Sequence, residues 1–156
     1  MKNIKLIHKH FNILSSTQVY AREFIQSYAN DPLIWDNKRY LFSCDLQTHG
    51  IGQQGRSWYS GENGNIYASY ALMLPKEYAQ CTNWISFAMV LSMIQTLEIY
   101  GISGQFKWVN DILVGKKKIA GILSEHLGFF FNNQLIGMVV GVGLNVQLSR
   151  ASCQHI

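Results

Sequence analysis

No Cys-x-x-Cys pair occurs in this chain, and its three cysteines, Cys44, Cys81 and Cys153, are odd in number and far apart. The sequence therefore suggests neither a zinc site nor a dithiol redox centre, and a reducing cytoplasm is the expected compartment. Long apolar runs are missing too. The most apolar stretch, residues 84–100, is interrupted by Ser86, Ser92, Gln95, Thr96 and Glu98. It falls short of the about 20 residues that a membrane span needs, so no membrane association is expected. The N-terminus has no apolar core of the kind a signal peptide carries. Charge is sparse, at 14% of residues, with a net charge of +4, which suits a phosphate-bearing ligand but is too weak to argue for nucleic acid. The only run of three basic residues, Lys116-Lys117-Lys118, reads as a solvated turn. Repeats, low-complexity tracts and linkers are also absent.

What is present is apolar and periodic. Apolar residues make up 48% of 156 residues, enough for one domain with one real core. Strands are expected at 4–8, 40–46, 66–74, 106–109, 111–114, 119–126, 129–131 and 135–146. Ser15-Ser16-Thr17 offers an N-cap for a helix over 18–28, which Asn30-Asp31-Pro32 ends. A buried helix is expected over 84–100, with Thr82 or Asn83 as cap and Gly101 as its closing glycine. Asn132-Asn133 reads as a hairpin turn. This order predicts an α+β fold, a largely antiparallel mixed sheet with helices on one face.

The segment Gly50-Ile51-Gly52-Gln53-Gln54-Gly55-Arg56 contains a literal Gly-x-Gly-x-x-Gly. A dinucleotide fold would need a helix directly after it. Turn-forming residues follow instead, from Ser57 to Asn65, and that reading fails. No Gly-x-x-x-x-Gly-Lys-Ser/Thr exists, so a P-loop is excluded. The glycines still allow close backbone approach to a ligand and can turn N–H groups toward an anion. Arg56 adds a fixed charge and Trp58 a flat apolar face. The alternative is a flexible surface loop.

A second segment, Lys107-Trp108-Val109-Asn110-Asp111, packs a cation, an amide and a carboxylate into an apolar strand pair. Alternation places Lys107, Val109 and Asp111 on one face unless the chain bends at Asn110. A buried lysine is costly unless paired or facing a ligand. Lys107 is then either a solvated edge-strand residue or a cation aimed at a carboxylate or phosphate.

Together these segments resemble those of the biotin–protein ligases, also called biotin–[acetyl-CoA-carboxylase] ligases. The resemblance runs from Ser16 to Asn145, in family order. It includes Ser16-Thr17, Gln47, Gly50-x-Gly52-x-x-Gly55-Arg56-x-Trp58, Gly64-Asn65-Ile66-Tyr67-x-Ser69, Lys107-Trp108-x-Asn110-Asp111, Lys118-Ile119-Ala120-Gly121-Ile122-Leu123-x-Glu125 and Gly141-x-Gly143-x-Asn145. It implies a class II synthetase-like biotin ligase/lipoate ligase fold. It also implies an enzyme that uses ATP and Mg2+ to convert biotin to biotinyl-5′-adenylate. Biotin then passes to a lysine of a biotin carboxyl carrier protein, an acetyl-CoA carboxylase subunit.

The resemblance also assigns roles. Lys107 would hold the biotin carboxylate and α-phosphate, and Arg56 would cover phosphate; these two are the expected catalytic residues. Ser16, Thr17, Gln47 and Gly50 would meet biotin, with Gly121, Leu123 and Gly141 lining its slot. Gly50, Gly52, Gly55, Arg56, Trp58, Asn110 and Asn145 would bind ATP or the adenylate. Trp58 would stack near adenine or close the loop, and Asp111 could equally be a structural partner of the loop. No resident metal is expected, and a homodimer is.

Departures from the family pattern are specific. Its loop carries arginines where Ile51 and Gln53 stand here, and charge-assisted contacts are worth about 1.5–3 kcal/mol each, so adenylate retention should be weaker. His49, Gln53 and Gln54 are candidate substitutes. Gln18 replaces an asparagine, and Val109 a proline. The whole chain, 1–156, is expected to be one catalytic domain, incomplete at its C-terminus, without an N-terminal helix-turn-helix or a C-terminal β-barrel. Two alternatives remain: a biotin-binding or interaction module with little ligase activity, and a lipoate- or octanoate-type transferase.

Overall fold

The computed structural model describes residues 3–61 and 64–147. Cys153 and the C-terminal tail from Ser149 lie outside the described residues. Seven strands form one mixed sheet in the order β1-β2-β3-β7-β6-β5-β4. These are β1 (Lys5–Leu14), β2 (Lys38–Gln47), β3 (Ile66–Pro75), β4 (Gln105–Lys107), β5 (Asp111–Val114), β6 (Lys117–Phe130) and β7 (Leu135–Leu144). Only β1 and β2 run parallel; every other pair is antiparallel. Three helices accompany them: α1 (Thr17–Tyr28), the short α2 (Pro32–Trp35) and α3 (Thr82–Ile99). None of the helices is long and apolar enough to cross a membrane, among the described residues.

The expected placement of both helices on one face is corrected by the central strand. Successive residues of a strand point to opposite faces. On β7, Val139 belongs to the cluster with Ala21 and Ile25 of α1, whereas Met138, Val140 and Val142 pack with Val90 and Leu97 of α3. The two long helices thus cover opposite faces. Nearly all of β7 is buried, as expected of a strand covered on both sides.

Helix α1 buries a stripe of Thr17, Gln18, Ala21 and Ile25, with the spacing of one helical face. It crosses β2, β3 and β7 and is tied to β6 by a bidentate ion pair, Arg22 Nε to Glu125 Oε2 at 2.9 Å and Nη2 to Oε1 at 3.0 Å. Helix α3 departs from its expected burial. Of its residues only Val90 and Leu97 are fully buried, and Trp84 is 68% exposed. Its cap differs as well, since Cys81 is the N-cap residue and makes no side-chain cap bond. Gly101 closes the helix as expected, with φ of +74° and its N–H donating to Glu98 O at 2.9 Å. The strands expected at 119–126 and 129–131 are one strand, β6, with an irregularity between His126 and Phe129 where Gly128 has φ of +98°.

Candidate functional site

On the α1 face, the sheet carries a strip of glycines. Gly121 of β6 pairs with Gly143 of β7, and Leu123 pairs with Gly141. Each glycine leaves room for something specific. A Cβ on Gly143 would stand 2.5 Å from Trp58 Cε2, one on Gly121 would stand 2.9 Å from Trp58 Cζ3, and one on Gly141 would strike Gln18 Oε1. The strip floors a cavity of about 910 Å3. That volume is in the range of a ligand pocket, roughly 300–1,000 Å3.

The glycine-rich loop forms the cavity's roof, folded as a small hairpin. Trp58 N–H donates to Gly50 O at 2.8 Å, Gly52 N–H to Arg56 O at 2.7 Å, and Ile51 bridges Ser57. A Cβ on Gly50 would stand 2.6 Å from Trp58 O, so its glycine serves the loop's own closure. The turn at Gln54 and Gly55 takes left-handed backbone angles, φ of 56° and 74°. Trp58 lies over the glycine strip, its buried Nε1–H without a hydrogen-bond partner. Arg56 lines the cavity with its side chain exposed, Nε donating to Gln53 O at 3.3 Å.

Of the residues expected from sequence, Ser16, Thr17, Gln47, Gly50, Gly52, Gly55, Arg56, Trp58, Asn110, Gly121, Leu123, Gly141 and Asn145 all line this one cavity. Lys107 does not. Strand β4 ends at Lys107, residues 108–110 turn, and Lys107 pairs across the hairpin with Asp111 while its side chain is exposed. The alternation that would have aimed it with Asp111 is broken by that turn. The lysine in the cavity is Lys118, from the run read as a solvated turn. Its Nζ stands 2.7 Å from Asp111 Oδ1 and 5.2 Å from the Trp58 ring centroid. Asn110 is held against β6, Nδ2 donating to Ile122 O at 2.8 Å and its carbonyl accepting from Ile122 N at 2.9 Å. Of the candidates to replace the missing arginines, His49 and Gln53 line the cavity and Gln54 does not.

The start of α1 supplies a polar wall. Ser16 is the N-cap residue, yet its side chain makes no cap bond, and its buried hydroxyl has no partner. Gln47 Oε1 accepts from Thr17 N at 2.9 Å and lies 3.2 Å from Thr17 Oγ1, while Gln47 Nε2 donates to Ser60 Oγ at 3.1 Å. Thr17 Oγ1 and Ser69 Oγ are 2.9 Å apart. Gln18 and Ser69 also line the cavity, which the sequence did not single out as site residues. The signal available for Lys118 was its place at the head of the Lys-Ile-Ala-Gly-Ile segment.

Residues 13–145 match the Biotin/lipoate A/B protein ligase family. The bifunctional ligase/repressor BirA of Bacillus subtilis (strain 168) is 31% identical over 138 residues, covering 88% of this chain and 39% of its own length. A biotin–[acetyl-CoA-carboxylase] ligase of Mycobacterium tuberculosis is 32% identical over 107 residues, 66% of this chain and 38% of that protein. The crystal structure of the Helicobacter pylori biotin acetyl coenzyme A carboxylase synthetase, with bound biotinylated ATP, superposes with a TM-score of 0.61 at 25% identity, covering 92% of this chain and 62% of that one. The chain thus spans about two fifths of the length of the curated relatives. The match takes in the glycine strip, the loop and the start of α1, and the chain belongs to the biotin/lipoate A/B protein ligase family.

Proposed function

We propose that this chain is the catalytic core of a biotin–protein ligase. One observation carries the reading: a single cavity joins the Lys118–Asp111 pair, the loop with Arg56, and the unpartnered hydroxyl of Ser16 along one glycine strip. Gly121, beside Lys118, and Leu123, beside Gln18, are two residues apart on β6, about 7 Å at strand spacing. Ser16, Thr17 and Gln47 hydrogen-bond the ureido ring of biotin at the polar wall. The ring and tail lie along Gly141, Leu123 and Gly121, and the carboxylate reaches Lys118. ATP enters as its Mg2+ complex beneath Trp58, with Gln53, Arg56, Asn110 and Asn145 around the phosphates and nucleoside.

The reaction takes two steps. The biotin carboxylate attacks the α-phosphate, and pyrophosphate leaves. A lysine amine of the carboxyl carrier of acetyl-CoA carboxylase then attacks the anhydride carbonyl, and AMP leaves. Lys118 is fixed by Asp111, so its charge is already in place where negative charge grows. Removing such a cation costs on the order of 100-fold or more in rate. The test is incubation with biotin, Mg2+ and ATP labelled at the α-phosphate. Labelled biotinyl-adenylate is expected from the wild type and from Lys107→Ala, and none from Lys118→Ala. Normal turnover by Lys118→Ala would sink the assignment of the lysine; no adenylate from the wild type would sink the function.

A further inference from the structure

One group of polar side chains stands apart from the cavity. On β1, Ile7 and Phe11 pack in the cluster under α1, so His8 and His10, which alternate with them, point to the opposite face. On β2, Tyr40 and Phe42 belong to that cluster, and Ser43 and Asp45 face away with the histidines. The core around α3 holds no residue of β1 or β2, and His8, His10 and Asp45 are exposed. His8 Nε2 lies 2.7 Å and His10 Nδ1 2.9 Å from the same atom, Ser43 Oγ. His10 Nε2 stands 3.2 Å from Asp45 Oδ1. A carboxylate only accepts, so His10 Nε2 carries a proton, and the lone pair of the neutral ring sits on Nδ1, aimed at Ser43. None of the four residues lines the cavity.

We propose that His8 and His10 form a surface site for a divalent transition-metal ion of the zinc class, bound by His8 Nε2 and His10 Nδ1 at the position that Ser43 Oγ holds. Histidines two apart on one strand face present their rings side by side, here with centroids 6.3 Å apart. Metal–nitrogen bonds are about 2.0–2.1 Å long, so each ring advances by less than about 1 Å as the Ser43 hydroxyl swings aside. Asp45 supplies what histidine ligands usually have, a carboxylate that takes the other ring proton and fixes the tautomer. It is a positioning residue, not a ligand. Among the described residues no three His, Cys, Asp or Glu side chains form a ligand set, so two imidazoles are the strong ligands and water completes the shell. The order Asp45, His10, Ser43 also has the residue types of a hydrolytic triad, but an open strand face gives a substrate nothing to seat against.

The test titrates Zn2+ into the untagged protein by calorimetry. Asp45→Ala should weaken binding about ten- to a hundredfold, the usual loss when a ligand's orienting partner is removed. Asp45→Asn keeps an oxygen that accepts from His10 Nε2 and should recover most of that loss. His8→Gln and His10→Gln each remove a ligand and should cost about a hundredfold or more. His126→Gln, on β6, should bind as the wild type does. Zn2+ should also raise the urea midpoint of the wild type and of His126→Gln but not of the other two histidine variants. Without metal those two should unfold at the wild-type midpoint, which shows that they fold. No Zn2+ binding by the wild type, or undiminished binding by both His8→Gln and His10→Gln, would overturn the inference. So would loss of binding in Cys81→Ser alone, which would put the ion at the exposed thiol. None of these outcomes bears on the proposed function, because the four residues lie outside its cavity.

Discussion

A single indole accounts for two of the glycines in the site. Trp58 lies against Gly121 and Gly143, and at Gly143 even a methyl group would stand within 2.8 Å of three indole atoms. Gly143→Ala should therefore act as overpacking and destabilise the fold by about 1–3 kcal/mol. Because the clash is with one side chain, Gly143→Ala combined with Trp58→Ala should cost no more than Trp58→Ala alone. Urea denaturation of the three variants checks this; additive losses would mean that the glycine serves the backbone instead. At this scale the sequence revealed residue types more readily than directions. The glycines, Ser16, Thr17, Gln47 and Trp58 could be picked out because they stand in the motifs that resemble those of the biotin–protein ligases. Lys107 is picked ahead of Lys118 by the sequence, yet only Lys118 of the two lines the cavity, because the facing of each depends on where a strand ends. Strand β4 stops at Lys107, whereas Lys118 is already inside β6.

Within the loop, hydrogen bonds between its two arms fix the shape, and the side chains that reach the cavity decide what is held there. Ile51 and Gln53 both line the cavity and neither carries charge. On the proposed function, placing a cation there with Gln53→Arg should add one charge-assisted contact to the adenylate phosphate, about 1.5–3 kcal/mol, and slow adenylate release by roughly ten- to a hundredfold. Gel filtration of enzyme loaded with labelled adenylate measures the retained fraction; unchanged retention would show that position 53 does not meet phosphate. The elements themselves were largely legible, and the misses have local causes. Helix α2 is only four residues long and starts at the Asp31-Pro32 pair that reads as a stop; Asp31 Oδ1 caps it by accepting from Leu33 N at 2.9 Å. Strand β6 read as two because its irregularity at Gly128 interrupts the alternation. Helix α3 read as buried because it has no polar face, a composition that does not say which of its sides meets the sheet.

Across the whole molecule, the α+β class followed from apolar strands of the right length, but the side each helix takes did not. Strand β7 is apolar on both faces, so its pattern points nowhere, and only packing puts α1 beside Val139 and α3 beside Val140. Burying aromatic and thiol groups between these layers leaves an alkaline signature. Cys44 packs on the α1 face, 3% exposed, and burial pushes its thiol from 9.0 up to about 11. Burial also raises the Tyr40 and Tyr67 phenols above 10.0. In the unfolded chain the thiol loses its proton near 9.0, while the folded protein keeps it until about 11, so the native state binds more protons between those values. Stability should be fully present below pH 9 and fall as pH rises from 9 toward 11, by at most about 1.4 kcal/mol per pH unit for each group titrating. Urea midpoints measured across that range check the slope, and Cys44→Ala should remove the part that sets in first. At about pH 8 the same burial keeps Cys44 as an unreactive thiol, so a thiol reagent should modify the exposed Cys81 and spare Cys44 until the protein is unfolded. Rapid modification of Cys44 in the native state would mean that the layer between α1 and the sheet opens readily.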